Sequence, residues 1–74
     1  MYVHQPYYVH SSSEVNLVAD VMKAINGEYN AMICYEELSK MAPSEDVKKQ
    51  LLEIRNDEIR HYQTFTQIYN SLTG

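Results

Sequence analysis

The apolar positions of the chain follow the 4-3 spacing of packed α-helices. In the first half of the chain, these positions are Val18, Val21, Ile25, Met32 and Tyr35. In the second half they are Val47, Leu51, Ile54, Phe65, Ile68 and Leu72. Apolar residues at this spacing form one stripe along a helix, and that stripe packs against a neighbouring helix. The pattern therefore predicts an all-α protein with two long helices.

Three ionisable residues occupy positions where this spacing calls for apolar ones. Glu28 interrupts the first stripe, and Glu58 and His61 interrupt the second. A carboxylate between packed helices costs free energy unless a charged or hydrogen-bonding partner meets it. These three residues are therefore the first candidates for function.

Capping residues predict where the first helix begins. Ser11 and Glu14 have the spacing of a capping box, in which each side chain bonds a free amide at the helix start. Residues 1–12 are rich in Tyr and His and show no periodicity. We therefore expect an irregular N-terminal arm over 1–12 and a first helix over about 13–42.

A short turn separates the two predicted helices. Pro43 ends the first helix, and Ser44 is a typical N-cap for the second. We expect the second helix over about 45–72, with Gly74 as its C-terminal cap. Residues 13–74 then form one antiparallel helical hairpin, because a turn of two or three residues leaves no other geometry.

Counting from the turn predicts which residues face each other. Glu28 lies 15 residues before Pro43, and Glu58 lies 15 residues after it. With a rise of 1.5 Å per residue, both lie about 22 Å from the turn. His61 is one helical turn further along. The sequence therefore predicts that Glu28, Glu58 and His61 meet across the hairpin.

Length and composition indicate what must stabilise such a hairpin. A 74-residue chain buries little apolar surface, and small folds usually need disulfides, a metal or a partner subunit. Cys34 is the single cysteine, so no disulfide forms within the chain, and an unpaired thiol suits the cytoplasm. The net charge of −4 with scattered cationic residues argues against nucleic acid. No apolar run is long enough to span a membrane.

Two carboxylates and an imidazole suit iron or manganese, with zinc as a further option. One hairpin supplies too few ligands for two metal ions. Two hairpins supply four Glu and two His, which is the ligand set of carboxylate-bridged two-metal helix bundles. Chain length and ligand number both predict a homodimer, or a higher even-numbered oligomer, that completes a four-helix bundle and holds two irons per dimer.

The string Asp57-Glu58-Ile59-Arg60-His61, with Glu28 thirty residues before Glu58, resembles the ferritin-like di-iron superfamily. That superfamily includes ferritins, bacterioferritins, rubrerythrins and di-iron oxygenases. The resemblance covers about residues 14–72, and the spacing is similar to that of the two-helix encapsulated ferritins. It departs from ferritins and rubrerythrins, which carry four helices in one chain, and one cysteine cannot build the rubredoxin-type iron site of rubrerythrins.

The resemblance implies a role for each site residue. Glu58 would bridge two metal ions, Glu28 would bind one of them, and His61 would bind one. Asp57 matches an acid that orients the ligand histidine of an opposing helix; the alternative is an ion pair of Asp57 with Arg60 or Arg55. Tyr35 matches a tyrosine found near the metals of ferritins, and it is the candidate catalytic residue.

The leading functional prediction is an oxidoreductase that binds Fe(II) at a dimer interface and oxidises it with dioxygen or peroxide. A peroxide-reducing enzyme of rubrerythrin or manganese-catalase type is the first alternative, because it uses the same ligands. A helical oligomerisation module without chemistry is the second alternative, in which Glu and His form a polar network that fixes the helix register.

Overall fold

The computed structural model describes residues 10–74, with side chains from Val15 onward, and shows two α-helices. Helix α1 spans His10–Lys40 and helix α2 spans Glu45–Thr73. The predicted all-α hairpin is therefore confirmed. Most of the predicted N-terminal arm lies outside the described residues.

Helix α1 begins three residues before the expected start. Ser11 thus lies within the helix, and its side chain and that of Glu14 are outside the described part, as is their predicted capping box. Residues 10–13 are one histidine and three serines, whose helix propensities are only moderately unfavourable. Capping residues in the sequence therefore did not fix this boundary.

Helix α2 begins at the expected residue, Glu45, and ends at Thr73, one residue beyond the expected end. The Ser44 hydroxyl accepts a hydrogen bond from the amide of Val47 at 3.3 Å, and Glu45 and Asp46 lie in the first turn, where the helix dipole favours negative charge. At the other end, the amide of Gly74 donates to the carbonyl of Asn70 at 2.8 Å. These contacts satisfy backbone groups that the helix leaves free.

The two helices run antiparallel and form a single layer. The molecule measures 52 × 26 × 13 Å along its principal axes, and 13 Å is close to the diameter of one helix with its side chains. Among the residues whose side chains are described, Val21 is the one buried apolar residue, with 6% of its surface exposed. A single layer buries the side chains between the helices and leaves both faces of the hairpin open.

One apolar stripe of α2 is only half covered by α1. Its apolar members are Val47, Ile54 and Ile68, which are 36–40% exposed. His61 continues this stripe at the same seven-residue spacing. The 4-3 pattern of α2 therefore comprises two stripes in the folded chain. Leu51, Glu58 and Phe65 form the less exposed stripe, which lies nearer to α1.

None of the helices in the described part of the chain combines the length and the apolar composition needed to cross a lipid bilayer.

Candidate metal centre

Glu28, Glu58 and His61 come together between the two helices. The Nδ1 atom of His61 lies 3.5 Å from Oε1 of Glu28 and 3.4 Å from Oε1 of Glu58. One potential ligand atom from each of the three residues lies within 4.8 Å of the others. The counted helix register therefore places these residues correctly at one height along the hairpin.

The three side chains differ in how much solvent they meet. The Glu28 and Glu58 side chains are 20% and 19% exposed, whereas the His61 side chain is 56% exposed. The carboxylates therefore lie largely between the helices, and the imidazole lies at the open edge of the cluster.

Two acidic groups at this distance cannot both carry a full negative charge without cost. A hydrogen bond with Glu28, burial between the helices and the negative charge of Glu28 raise the pKa of Glu58 above its ordinary value of 4.5, while His61 opposes the shift. Without a cation, a proton shared by the two carboxyls relieves their repulsion. A bound divalent metal ion would take the place of that proton and supply positive charge instead.

The donor set fits iron or manganese. Two carboxylates supply oxygen ligands and His61 supplies a nitrogen ligand, a mixture that suits both metals. The cluster offers three potential ligand residues, and its imidazole is open to solvent. One hairpin thus offers part of a coordination shell, and further ligands can come from outside it.

A second polar contact joins the helices closer to the turn. Nη1 of Arg55 lies 3.6 Å from Oε2 of Glu36, and the Arg55 side chain is 25% exposed. The residues lie 7 and 12 positions from Pro43, so counting from the turn does not pair them. The opposite charges of the two residues are the sequence signal that could have predicted this contact. The opposite charges of Arg55 and Glu36 therefore neutralise each other within one chain.

Asp57 contacts a neighbour on its own helix. Its Oδ1 atom accepts a hydrogen bond from Nη2 of Arg60, one turn away. Half of the Asp57 side chain remains exposed, so it is open to an incoming group. Pairing with Arg60 is the alternative interpretation of Asp57, and its role in orienting a ligand histidine of an opposing helix stays a prediction.

The tyrosines near the cluster fall into two places. Tyr35, the predicted catalytic residue, is partly buried and lies seven residues from Glu28, which is about 10 Å along the helix axis. Tyr29 and Tyr62 directly follow Glu28 and His61 in sequence, and their ring centres lie 6.0 Å apart with the planes tilted by 46°. This tilted aromatic pair joins the helices beside the cluster.

A comparison with protein families matches residues 21–74 to the rubrerythrin family. The matched range covers most of both helices and contains all three residues of the cluster. The chain is also 45% identical over 73 residues to the uncharacterised protein YhjR of Bacillus subtilis strain 168. That alignment covers 99% of this chain and 50% of the relative, so the chain spans about half the length of the curated relative. No solved structure matches the chain.

Proposed function

The chain belongs to the rubrerythrin family, and from this premise we propose that it is a di-iron protein that binds and oxidises Fe(II) between two copies of the hairpin. The observation that carries the proposal is the cluster of Glu28, Glu58 and His61, drawn from both helices and held within 4.8 Å. A cluster of two acids and an imidazole between packed helices is costly without a cation. The occurrence of this cluster in a chain of the rubrerythrin family supports a metal site.

The proposed ligand roles are those that the family resemblance implies. Glu58 and Glu28 are the less exposed oxygen donors, and we assign Glu58 to bridge two ions and Glu28 to bind one of them. His61 supplies the nitrogen donor at the open edge. Two copies related by a two-fold axis then provide four carboxylates and two imidazoles, enough for two irons per dimer.

Bound iron would supply one-electron chemistry between Fe(II) and Fe(III), with dioxygen or peroxide as the electron acceptor. The protein residues hold the ions, keep the carboxylates out of bulk water and limit access to one edge. We assign Asp57 to orient the His61 ring of the other copy. Tyr35 is the residue we assign to take part in the redox reaction. The unpaired and exposed Cys34 is consistent with a reducing, cytoplasmic location.

Peroxide reduction is the second candidate function, and the rubrerythrin family match favours it. It would use the same three ligands, and it requires an external electron donor or, with manganese, the disproportionation of peroxide. Both activities share one site, so ligand substitutions cannot separate them. Consumption of peroxide beyond the amount of added Fe(II), with an electron donor present or by disproportionation, would identify peroxide reduction as the activity.

Anaerobic titration with Fe(II), followed by elemental analysis, tests the site. We expect about one iron per chain in the wild type and loss of stoichiometric binding in Glu58→Ala and His61→Ala. Because Glu36 is an acid on the same helix as Glu28, Glu36→Gln is the matched control for Glu28→Gln. Arg55→Ala is a second control, since Arg55 binds Glu36 and no cluster residue.

Addition of oxygen or peroxide to the iron-loaded protein then tests the reaction. Consumption of either oxidant with formation of Fe(III), absent from His61→Ala, supports the oxidoreductase proposal. Normal iron binding by the ligand variants would refute the site. A folded oligomer that binds no metal would leave the oligomerisation module as the better description.

A further inference from the structure

Two tyrosines join the helices directly beside the cluster. Tyr29 follows Glu28 on α1, and Tyr62 follows His61 on α2. Their ring centres lie 6.0 Å apart with the planes tilted by 46°, within the range of roughly 4.5–7 Å at which aromatic rings attract each other. We call these two residues the aromatic pair. It connects the two helices at the height at which their potential ligand residues meet.

The helix backbone ties each tyrosine to a residue of the cluster. Consecutive residues of an α-helix are separated by about 1.5 Å along the axis and by about 100° around it. The side chain of Tyr29 therefore has a fixed relation to that of Glu28, and the same holds for Tyr62 and His61. A shift or rotation of either helix that separates the two rings also moves a residue of the cluster away from its neighbours.

Burial in a deep core does not explain the contact between the rings. Tyr29 keeps 47% of its surface exposed, and the hairpin is a single layer 13 Å thick. The part of the chain that the structure describes contains no third element that packs across α1 and α2. The rotation of each helix about its own axis therefore depends on side-chain contacts between the two helices, and the aromatic pair is such a contact.

The cluster itself opposes close approach of the helices. Glu28 and Glu58 are acidic groups from different helices, and their partial burial strengthens the repulsion between them. The turn lies about 22 Å away along the helices, so it does not fix their spacing at this height. An attractive contact next to the cluster offsets the repulsion and helps to keep the potential ligand atoms within 4.8 Å of one another.

We propose that the aromatic pair positions the metal ligands, because contact between the rings of Tyr29 and Tyr62 holds the helices at the spacing and rotation at which the cluster forms. This inference rests on the proposed function, since it assigns a role at the same metal site. The rings make the contact, so phenylalanine serves as well as tyrosine at both positions. The role differs from that of Tyr35, which we assign to the redox reaction.

Titration with Co(II), whose visible absorption reports the number and geometry of its ligands, tests this role. The variants are Tyr29→Leu, Tyr62→Leu and the matching Phe substitutions. Loss of side chains that orient metal ligands weakens metal binding roughly 10–100-fold. We expect each Leu variant to bind Co(II) about tenfold more weakly, the lower end of that range, with an altered absorption spectrum and unchanged helical content. Both Phe variants should keep the affinity and the spectrum of the wild type.

Tyr69→Leu is the matched control. Tyr69 is a partly buried tyrosine seven residues after Tyr62, which places it on the same side of α2 and about 10 Å further along the axis. Its replacement removes the same ring away from the cluster, so Co(II) binding should remain as in the wild type. The double variant Tyr29→Leu/Tyr62→Leu should bind Co(II) no more weakly than either single Leu variant, because each single change already removes the contact.

The outcomes separate this inference from the proposed function. Wild-type Co(II) affinity and spectrum in Tyr29→Leu and Tyr62→Leu would overturn the positioning role and leave the metal site standing. Weak binding in the Phe variants would assign the effect to the hydroxyl groups, and equal weakening in Tyr69→Leu would reduce it to general stability; either result overturns the inference. If Tyr62→Leu does not fold, Tyr29→Leu decides, since its side chain is half exposed. A wild type that binds neither Co(II) nor Fe(II) refutes the metal site and the positioning role together.

Discussion

The hairpin contains two places where charged side chains meet across the helices, and they differ in electrical balance. Near the turn, Arg55 neutralises Glu36 within one chain. At the cluster, Glu28 and Glu58 face each other, and His61 is the group that offsets them among the side chains that the structure describes. Both contacts lie between the same two helices. The packing of these helices therefore does not by itself explain why two acidic side chains meet at the cluster. The cluster is therefore the contact at which a bound cation would relieve the repulsion between two acidic groups.

We expect metal binding to change the stability of the protein more than any single substitution does. At 100 times its dissociation constant, a ligand that binds only the folded state adds about 2.7 kcal/mol to stability. In a domain of this size that corresponds to a rise of roughly 10–20 °C in Tm. We expect this rise for the wild type with anaerobic Fe(II), measured by circular dichroism during heating, and no rise for His61→Ala. An equal rise in both proteins would place the metal elsewhere.

Replacing one acid of the cluster should stabilise the metal-free protein. Glu58→Gln removes the like charge and keeps a side chain of similar shape that can hydrogen-bond to Glu28. We expect Tm at pH 7 to rise by a few degrees. The same change at the balanced contact, Glu36→Gln, should lower Tm slightly, because it leaves Arg55 without its anion. Opposite signs for the two Glu→Gln changes, in thermal unfolding without metal, are the diagnostic result.

The stability of the metal-free protein should depend on pH through Glu58. Its pKa is raised in the folded state by Glu28 and by burial, so the folded state favours the protonated form. The contribution of this group is complete below pH 4.5 and is lost as pH rises through the raised pKa. Denaturant unfolding of the wild type and Glu58→Gln across pH 4–8 should show their difference in stability growing as pH increases. A constant difference would contradict the raised pKa.

The smallest effect is expected at the balanced contact. Arg55→Ala breaks a partly exposed ion pair, and such pairs are worth about 0.2–1 kcal/mol. We expect a small loss of stability that diminishes as salt is added, measured by denaturant unfolding. Iron binding should remain at about one per chain. A large loss of iron with this variant would show that the two contacts are not independent.

Much of the fold and the grouping of the candidate site could be predicted from the sequence. Pro43 and Ser44 define the turn, and equal counts of residues on either side bring Glu28 and Glu58 to the same height. This works because the rise per residue of an α-helix is fixed. Position alone does not demonstrate ligation, so the metal-binding roles remain predictions.

Other local features could not be predicted in the same way. Arg55 reaches Glu36 although the two lie at different distances from the turn. Long charged side chains can span several ångströms and choose among neighbours that the spacing of apolar residues does not rank. The contacts of such side chains therefore depend on the three-dimensional surroundings.

The amino-acid sequence specifies the two helices, their antiparallel register and the acid–imidazole cluster, since these depend on local propensity, capping and a constant helical rise. The folded structure alone reveals which side of each stripe is left open. A 4-3 pattern is the same for a contact within one chain and for a contact between chains, because both bury residues at the same helical spacing. Only the packed hairpin shows that Val47, Ile54 and Ile68 keep more than a third of their surface exposed, and that more than half of the His61 side chain stays exposed among them.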